Sequence, residues 1–206
     1  MGKDWKGDGN SVYKTLGASN HTDKERQGED YYATDPTAVE KLRNAVILPQ
    51  YVWECACGAG HLSRALMDGG HNVLSTDLYD RGFGYVGIDF LKEERLPEYL
   101  QGEDCCILTN PPYKYATEFV EHALELLPAG QPAFFLLKTN ALEGKGRWER
   151  LYRRGWLHGV YQFTERLLCA KNGDFEGMMA GGGSAVAYAW FMFRKVRATD
   201  TIIRWI

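Results

Sequence analysis

Three absences narrow this chain before any motif is read. First, its 206 residues hold no apolar run near the roughly 20 that a membrane-spanning helix needs. Met1-Gly2-Lys3-Asp4 also opens without a secretory signal pattern, so a cytosolic protein that does not engage a membrane is expected. Second, there is no basic excess: 24 Lys and Arg stand against 27 Asp and Glu, a net charge of -3. Any face for nucleic acid must therefore be local, and the candidate is Lys138, Lys145, Arg147, Arg150, Arg153 and Arg154. Third, there is no disulfide framework. Five cysteines are an odd count without paired spacing, and Cys55, Cys57, Cys105 and Cys106 fall in apolar runs where a thiol acts as a small filler. Cys55 and Cys57 with His61 make poor zinc spacing, so no metal is expected, and Cys169 is not expected to act as a nucleophile.

What is present is enough apolar residue, 45%, for one proper core. Residues 1–29 are polar and glycine-rich and read as an arm, and residues 30–206 read as one domain with no linker or repeat. Asp35-Pro36 signals a helix start, and Val39, Leu42 and Val46 carry that helix until Pro49. Strands are expected at 51–56, 72–77, 104–109, 132–138, 158–164 and 185–193, with helices at about 61–68 and 115–127 and a glycine-rich loop at 170–184. This alternation predicts a doubly wound, Rossmann-like α/β sheet.

The most specific segment is Thr109-Asn110-Pro111-Pro112-Tyr113, directly after the apolar run Cys105-Cys106-Ile107-Leu108. Two prolines fix φ and remove two backbone donors, leaving a stiff loop with free carbonyls, an amide and an aromatic face. Such a loop can grip a planar group bearing an NH₂. Upstream, Gly58 and Gly60 follow Tyr51-Val52-Trp53-Glu54-Cys55-Ala56-Cys57, where missing side chains let backbone approach a ligand. Asp77 closes the next strand, where a carboxylate can take ribose hydroxyls, and Asp89-Phe90 comes later. A dinucleotide fingerprint would want a third glycine at the position that Ser63 occupies.

In this order the motifs resemble those of the S-adenosylmethionine-dependent amino-methyltransferases, in particular the small phage- and prophage-type adenine-specific DNA methyltransferases. The likeness spans roughly residues 30 to 193. It implies a mostly parallel seven-stranded sheet with an antiparallel final strand, S-adenosylmethionine as cofactor and adenine in DNA as the methylated partner. It assigns catalysis to Asn110, Pro111, Pro112 and Tyr113, with Tyr113 stacking on the base and Asn110 also near the cofactor. Glu54 would lie near the methionine amino group, Asp77 on the ribose, Asp89 and Phe90 on the cofactor's adenine, and Tyr32 and Thr34 over its carboxylate. The late segment after Thr164 implies that Arg166 and Phe175 touch substrate. The same loop also serves RNA adenine methyltransferases and protein glutamine methyltransferases, so the amine is better specified than the molecule that bears it.

Overall fold

The computed structural model describes residues 32–171, 173, 175–180 and 186–206, and for Lys171 the backbone only. The expected arm at 1–29 and the glycine stretch at 181–185 lie outside the described residues. One large sheet organises the rest. Its strands are β2 (Tyr51–Glu54), β3 (Asn72–Asp77), β4 (Tyr85–Val86), β5 (Cys105–Thr109), β6 (Pro132–Lys138), β7 (Leu157–Gln162), β9 (Tyr188–Arg194) and β10 (Ile202–Trp205). In space they run β10-β7-β9-β6-β5-β2-β3-β4. All neighbours are parallel except β9, which is antiparallel to both β6 and β7. A second, two-stranded sheet pairs β1 (Tyr32–Thr34) with β8 (Cys169–Lys171), again antiparallel.

The chain starts in the middle of the large sheet at β2, builds outward through β3 and β4, then returns to β5 and builds the other way. This reversal leaves a crevice beyond the carboxyl ends of β2 and β5, the usual ligand position in such sheets. The expected α/β sheet with its antiparallel strand is present. In the large sheet two strands go beyond expectation: short β4, and β10, which follows the antiparallel strand and adds an eighth member parallel to β7. The stretch expected as a loop at 170–184 also holds structure, because β8 runs into it and the short helix α4 (Phe175–Ala180) lies inside it.

Burial explains why these runs become strands. Along β5, Cys105 and Ile107 face one core while Cys106 and Leu108 face the other. Along β6, Phe135 and Leu137 alternate in the same way with Phe134 and Leu136. Side chains of a strand point alternately to opposite faces, so covering both faces requires a continuous apolar run rather than an alternating one. Helices α1 (Thr37–Ala45) and α2 (His61–Asp68) cover one face through Val39, Leu42, Leu62 and Leu66. Helix α3 (Ala116–Leu126) covers the other through Phe119, Val120, Ala123 and Leu124. At the start of α1, Asp35 accepts from the Thr37 backbone N–H at 2.9 Å, as the Asp-Pro signal predicts.

Phe135 is fully buried between β5 and β9. Phe135→Ala is expected to lower unfolding stability by about 3–5 kcal/mol, because truncation loses both transfer energy and packing. Urea unfolding monitored by tryptophan fluorescence tests this. A loss below about 1 kcal/mol would show that this layer is loosely packed.

Candidate active site

A cleft of about 700 Å³ opens at the reversal point, and it is lined by residues from both motif groups, among them Thr34, Glu54, Asp77, Asp89, Asn110 and Tyr113. Its floor begins with the turn after β2. Gly58 and Gly60 adopt φ of 54° and 79°, in the left-handed region that favours glycine. At Gly60 a Cβ would come within 2.3 Å of the Phe83 ring, so this glycine is required twice over. The Arg64 guanidinium sits 4.5 Å over the other partner in this contact, the Phe83 ring, and fixes it in place.

Asp77 ties that turn to the next strand. Its Oδ2 accepts from the Gly58 N–H at 2.8 Å and its Oδ1 from the Tyr79 N–H at 2.8 Å. Both oxygens are thus engaged by backbone, and each keeps lone-pair capacity for a hydroxyl from the cleft. Asp89 lies close by, since the Ile88 N–H donates to the Asp77 carbonyl at 3.1 Å. The Asp89 carboxylate caps a 3₁₀ turn through the Leu91 N–H and pairs with Lys92 at 3.0 Å. Phe90 lines the cleft but is principally a core residue, packed against Trp53, Phe119 and His122.

Glu54 is 2% exposed and its carboxylate receives the Ser63 hydroxyl, which is itself 2.6 Å from the Ser75 hydroxyl. Burial outweighs these bonds and pushes the Glu54 carboxyl up to about 8. No cation pairs with it among the described residues. A buried carboxyl held neutral and facing a cleft is a receptor for a cation, whose arrival would return it to the ionised form. Ser63 and Ser75 are site residues that motif reading passes over. Ser63 is noticed only as the absent third glycine, and Ser75 carries no local signal.

The opposite wall is the Asn-Pro-Pro-Tyr loop leaving β5. The Asn110 Nδ2 donates to the Thr34 hydroxyl at 2.9 Å and leans on the Tyr32 carbonyl at 3.4 Å. A carbonyl only accepts, so it fixes which end of the amide faces β1 and turns the Asn110 Oδ1 away from it. That Oδ1 is buried and accepts no hydrogen bond. A buried amide oxygen without a donor is costly, and it marks a place where a ligand N–H belongs. The Pro111 carbonyl also has no donor among the described residues. The two acceptors are neighbours on one rigid loop.

Tyr113 is more enclosed than expected. Its ring lies 5.8 Å from Tyr32 and 6.0 Å from Tyr188, and the Lys138 ammonium stands 4.7 Å over it. Its buried hydroxyl lies against Asn110, Tyr188 and Cys169, and burial pushes its ionisation well above the usual tyrosine range. Cys169 lies beneath this group, with its thiol pushed up to about 12 by burial, which makes it unreactive. The two late residues are not in the cleft wall. Phe175 packs edge-on against His61, 5.7 Å between centroids, on the glycine-turn side, and Arg166 is exposed to solvent.

The basic stretch 145–154 is largely engaged within the protein. Arg147 donates to the carbonyls of Asn140, Ala141 and Glu143. Arg150 joins Glu118 and Glu121 of α3, Arg153 pairs with Glu149, and Arg154 lies over Trp156. These bonds brace the loop after β6. Among the described residues no group of His, Cys, Asp and Glu side chains is arranged to hold a metal ion, and no helix is long and apolar enough to cross a membrane.

Neither a protein-family model nor a curated protein matches the sequence. Solved structures do match the fold. One is a protein assigned as a class I S-adenosylmethionine-dependent methyltransferase from Listeria monocytogenes, with 11% identity, a TM-score of 0.52, and 83% of this chain covered. The chain spans 62% of that structure's length. A protein assigned as a hemolysin from Lactococcus lactis aligns over 79% of this chain and 91% of its own, with 12% identity and a TM-score of 0.53. A dimethyladenosine transferase from Plasmodium falciparum aligns over 78% of this chain and 61% of its own, with 14% identity and a TM-score of 0.51. The chain has the Rossmann-like α/β fold of class I methyltransferases.

The Glu54 arrangement predicts a pH signature of its own. The folded carboxyl ionises at about 8 against 4.5 for a free one, so between these values only the unfolded state loses its proton and folding weakens as pH rises. Glu54→Gln removes this dependence. Its stability relative to wild type should rise from pH 4.5 to about 8 and then level off, as measured by urea unfolding across pH. A difference that stays flat over that interval would show that the carboxyl ionises normally.

Proposed function

We propose that this protein is an S-adenosylmethionine-dependent methyltransferase acting on an exocyclic amine, with adenine in DNA as its substrate. The observation that carries the reading is the Asn110 Oδ1, an orphaned acceptor on a stiff Asn-Pro-Pro-Tyr loop facing a cleft whose other wall suits an amino-acid-bearing nucleoside. The cofactor's demands match the residues present. The neutral, buried Glu54 would receive the α-ammonium, the spare lone pairs of Asp77 the ribose hydroxyls, and Asp89 the adenine amino group. Bound there, S-adenosylmethionine would supply an electrophilic methyl on a sulfonium that is already a good leaving group.

What remains for the protein is positioning and charge stabilisation. The Asn110 Oδ1 and the Pro111 carbonyl accept the two hydrogens of the target amine. This draws the nitrogen lone pair out of conjugation with the ring and aims it into the cleft. As positive charge grows on that nitrogen, the same two acceptors stabilise it. Thr34 and the Tyr32 carbonyl keep the amide from flipping, which would present a donor where an acceptor is needed. No general base is required for the transfer itself, since the product ammonium can lose its proton to solvent afterwards.

DNA is preferred over the alternatives on the motif set. RNA adenine enzymes share the loop, and the motif set resembles the phage-type DNA enzymes more closely.

Incubation with methyl-labelled S-adenosylmethionine and, separately, duplex DNA, structured RNA and total protein tests this. Label is expected on adenine in DNA, and label in protein alone would overturn the nucleic-acid reading. Asn110→Ala is expected to abolish transfer while S-adenosylmethionine still binds, measured by calorimetry. Equal loss of both would reassign Asn110 to a structural role.

A further inference from the structure

Once the arginines of the basic stretch are accounted for, one cation near the catalytic loop keeps its charge uncompensated. Lys138 ends β6, directly beside β5, whose next residue is Asn110. Its backbone is fixed by the register Lys138↔Tyr188 in the antiparallel pair with β9, and the ladder continues through the Thr139 N–H to the Ala187 carbonyl. Residues directly opposite in such a pair share a face, so Lys138 and Tyr188 both reach Tyr113. The ammonium is held 4.7 Å over that ring and makes no ion pair among the described residues. A cation–π contact localises the ammonium but leaves its donors unspent.

We propose that Lys138 takes the backbone phosphate adjacent to the target base, and so selects a polynucleotide over a protein amide; this rests on the amine-methylation reading above. The cation sits at the catalytic loop itself, and a base reaching Asn110 must bring its own phosphodiester to the neighbourhood of Tyr113. A glutamine side chain brings no such anion. The chain's net charge of -3 offers little general attraction, so one pinned lysine carries a disproportionate share of contact with the strand. Lys138 is thereby a specificity-determining residue, and Tyr113 is its support as much as a stacking surface.

The test uses the full-length protein and DNA oligonucleotides carrying a single adenosine, with either a normal phosphate or a neutral methylphosphonate on each side of it. Lys138→Met is expected to lower kcat/KM on the normal oligonucleotide about tenfold and to reduce the salt slope of log kcat/KM by roughly one. S-adenosylmethionine affinity should be unchanged, and Lys138→Arg should restore most of the loss. The methylphosphonate at the contacted side should cost wild type about the same tenfold, and should cost Lys138→Met little more. Additive losses, or an unchanged salt slope, would overturn the proposal. Wild type that labels none of these oligonucleotides would instead overturn the DNA reading, and it shows before any variant is made.

Discussion

The whole site depends on which way one amide points. Asn110 stands at the mouth of β5, and its Nδ2 is committed to the Thr34 hydroxyl and the Tyr32 carbonyl on a strand that lies far away in sequence. That commitment leaves an acceptor rather than a donor without a partner beside the cleft. It also explains why a two-stranded sheet, β1 with β8, is placed over the carboxyl ends of the large sheet. The Asp35 N–H bond to the Leu168 carbonyl extends the same ladder, so β1 is held by backbone bonds. The unsatisfied Asn110 Oδ1 costs folding energy in the free protein, and a ligand N–H recovers it.

The other wall repeats this logic with a carboxyl. Glu54 is buried where ionisation is penalised, yet its Oε2 accepts from the Ser63 hydroxyl, which Ser75 holds in turn. In both walls a polar group is kept in a state that solvent would not choose, held there by neighbours that a ligand does not displace. Preorganised sites work this way: the cost of orientation is met on folding and not at the moment of binding. The Asp77 carboxylate differs. It shapes the glycine turn through Gly58 and Tyr79, so its structural work and its binding work overlap.

Much of this was legible before any coordinates. Apolar runs covering both faces of a sheet are long enough to see, so β3, β6 and α2 fall where periodicity puts them. The glycine turn and the Asn-Pro-Pro-Tyr loop declare themselves because only glycine and proline meet their backbone demands. The elements that escaped are those made by pairing and not by pattern. β8 is a three-residue strand at the edge of the glycine-rich stretch whose ladder β1 supplies, and β10 is an exposed edge strand whose order comes from β7. The arginines of 145–154 show the same limit. Their charge is plain in the sequence, whereas the pairing of Arg150 with Glu118 and Glu121 arises only where two helices meet. The packing of Phe175 on His61 likewise joins two residues far apart in the sequence and carries no local signal.

If an unpartnered acceptor on a rigid loop is what turns this fold toward amine methylation, the decisive observation is where the target nitrogen sits. A crystal structure with S-adenosylhomocysteine and an adenine-containing DNA strand would show it. The account predicts the adenine N6 about 3 Å from both the Asn110 Oδ1 and the Pro111 carbonyl, with the Nδ2 still on Thr34. An N6 placed elsewhere, with the Asn110 Oδ1 satisfied by another group of the protein, would contradict it.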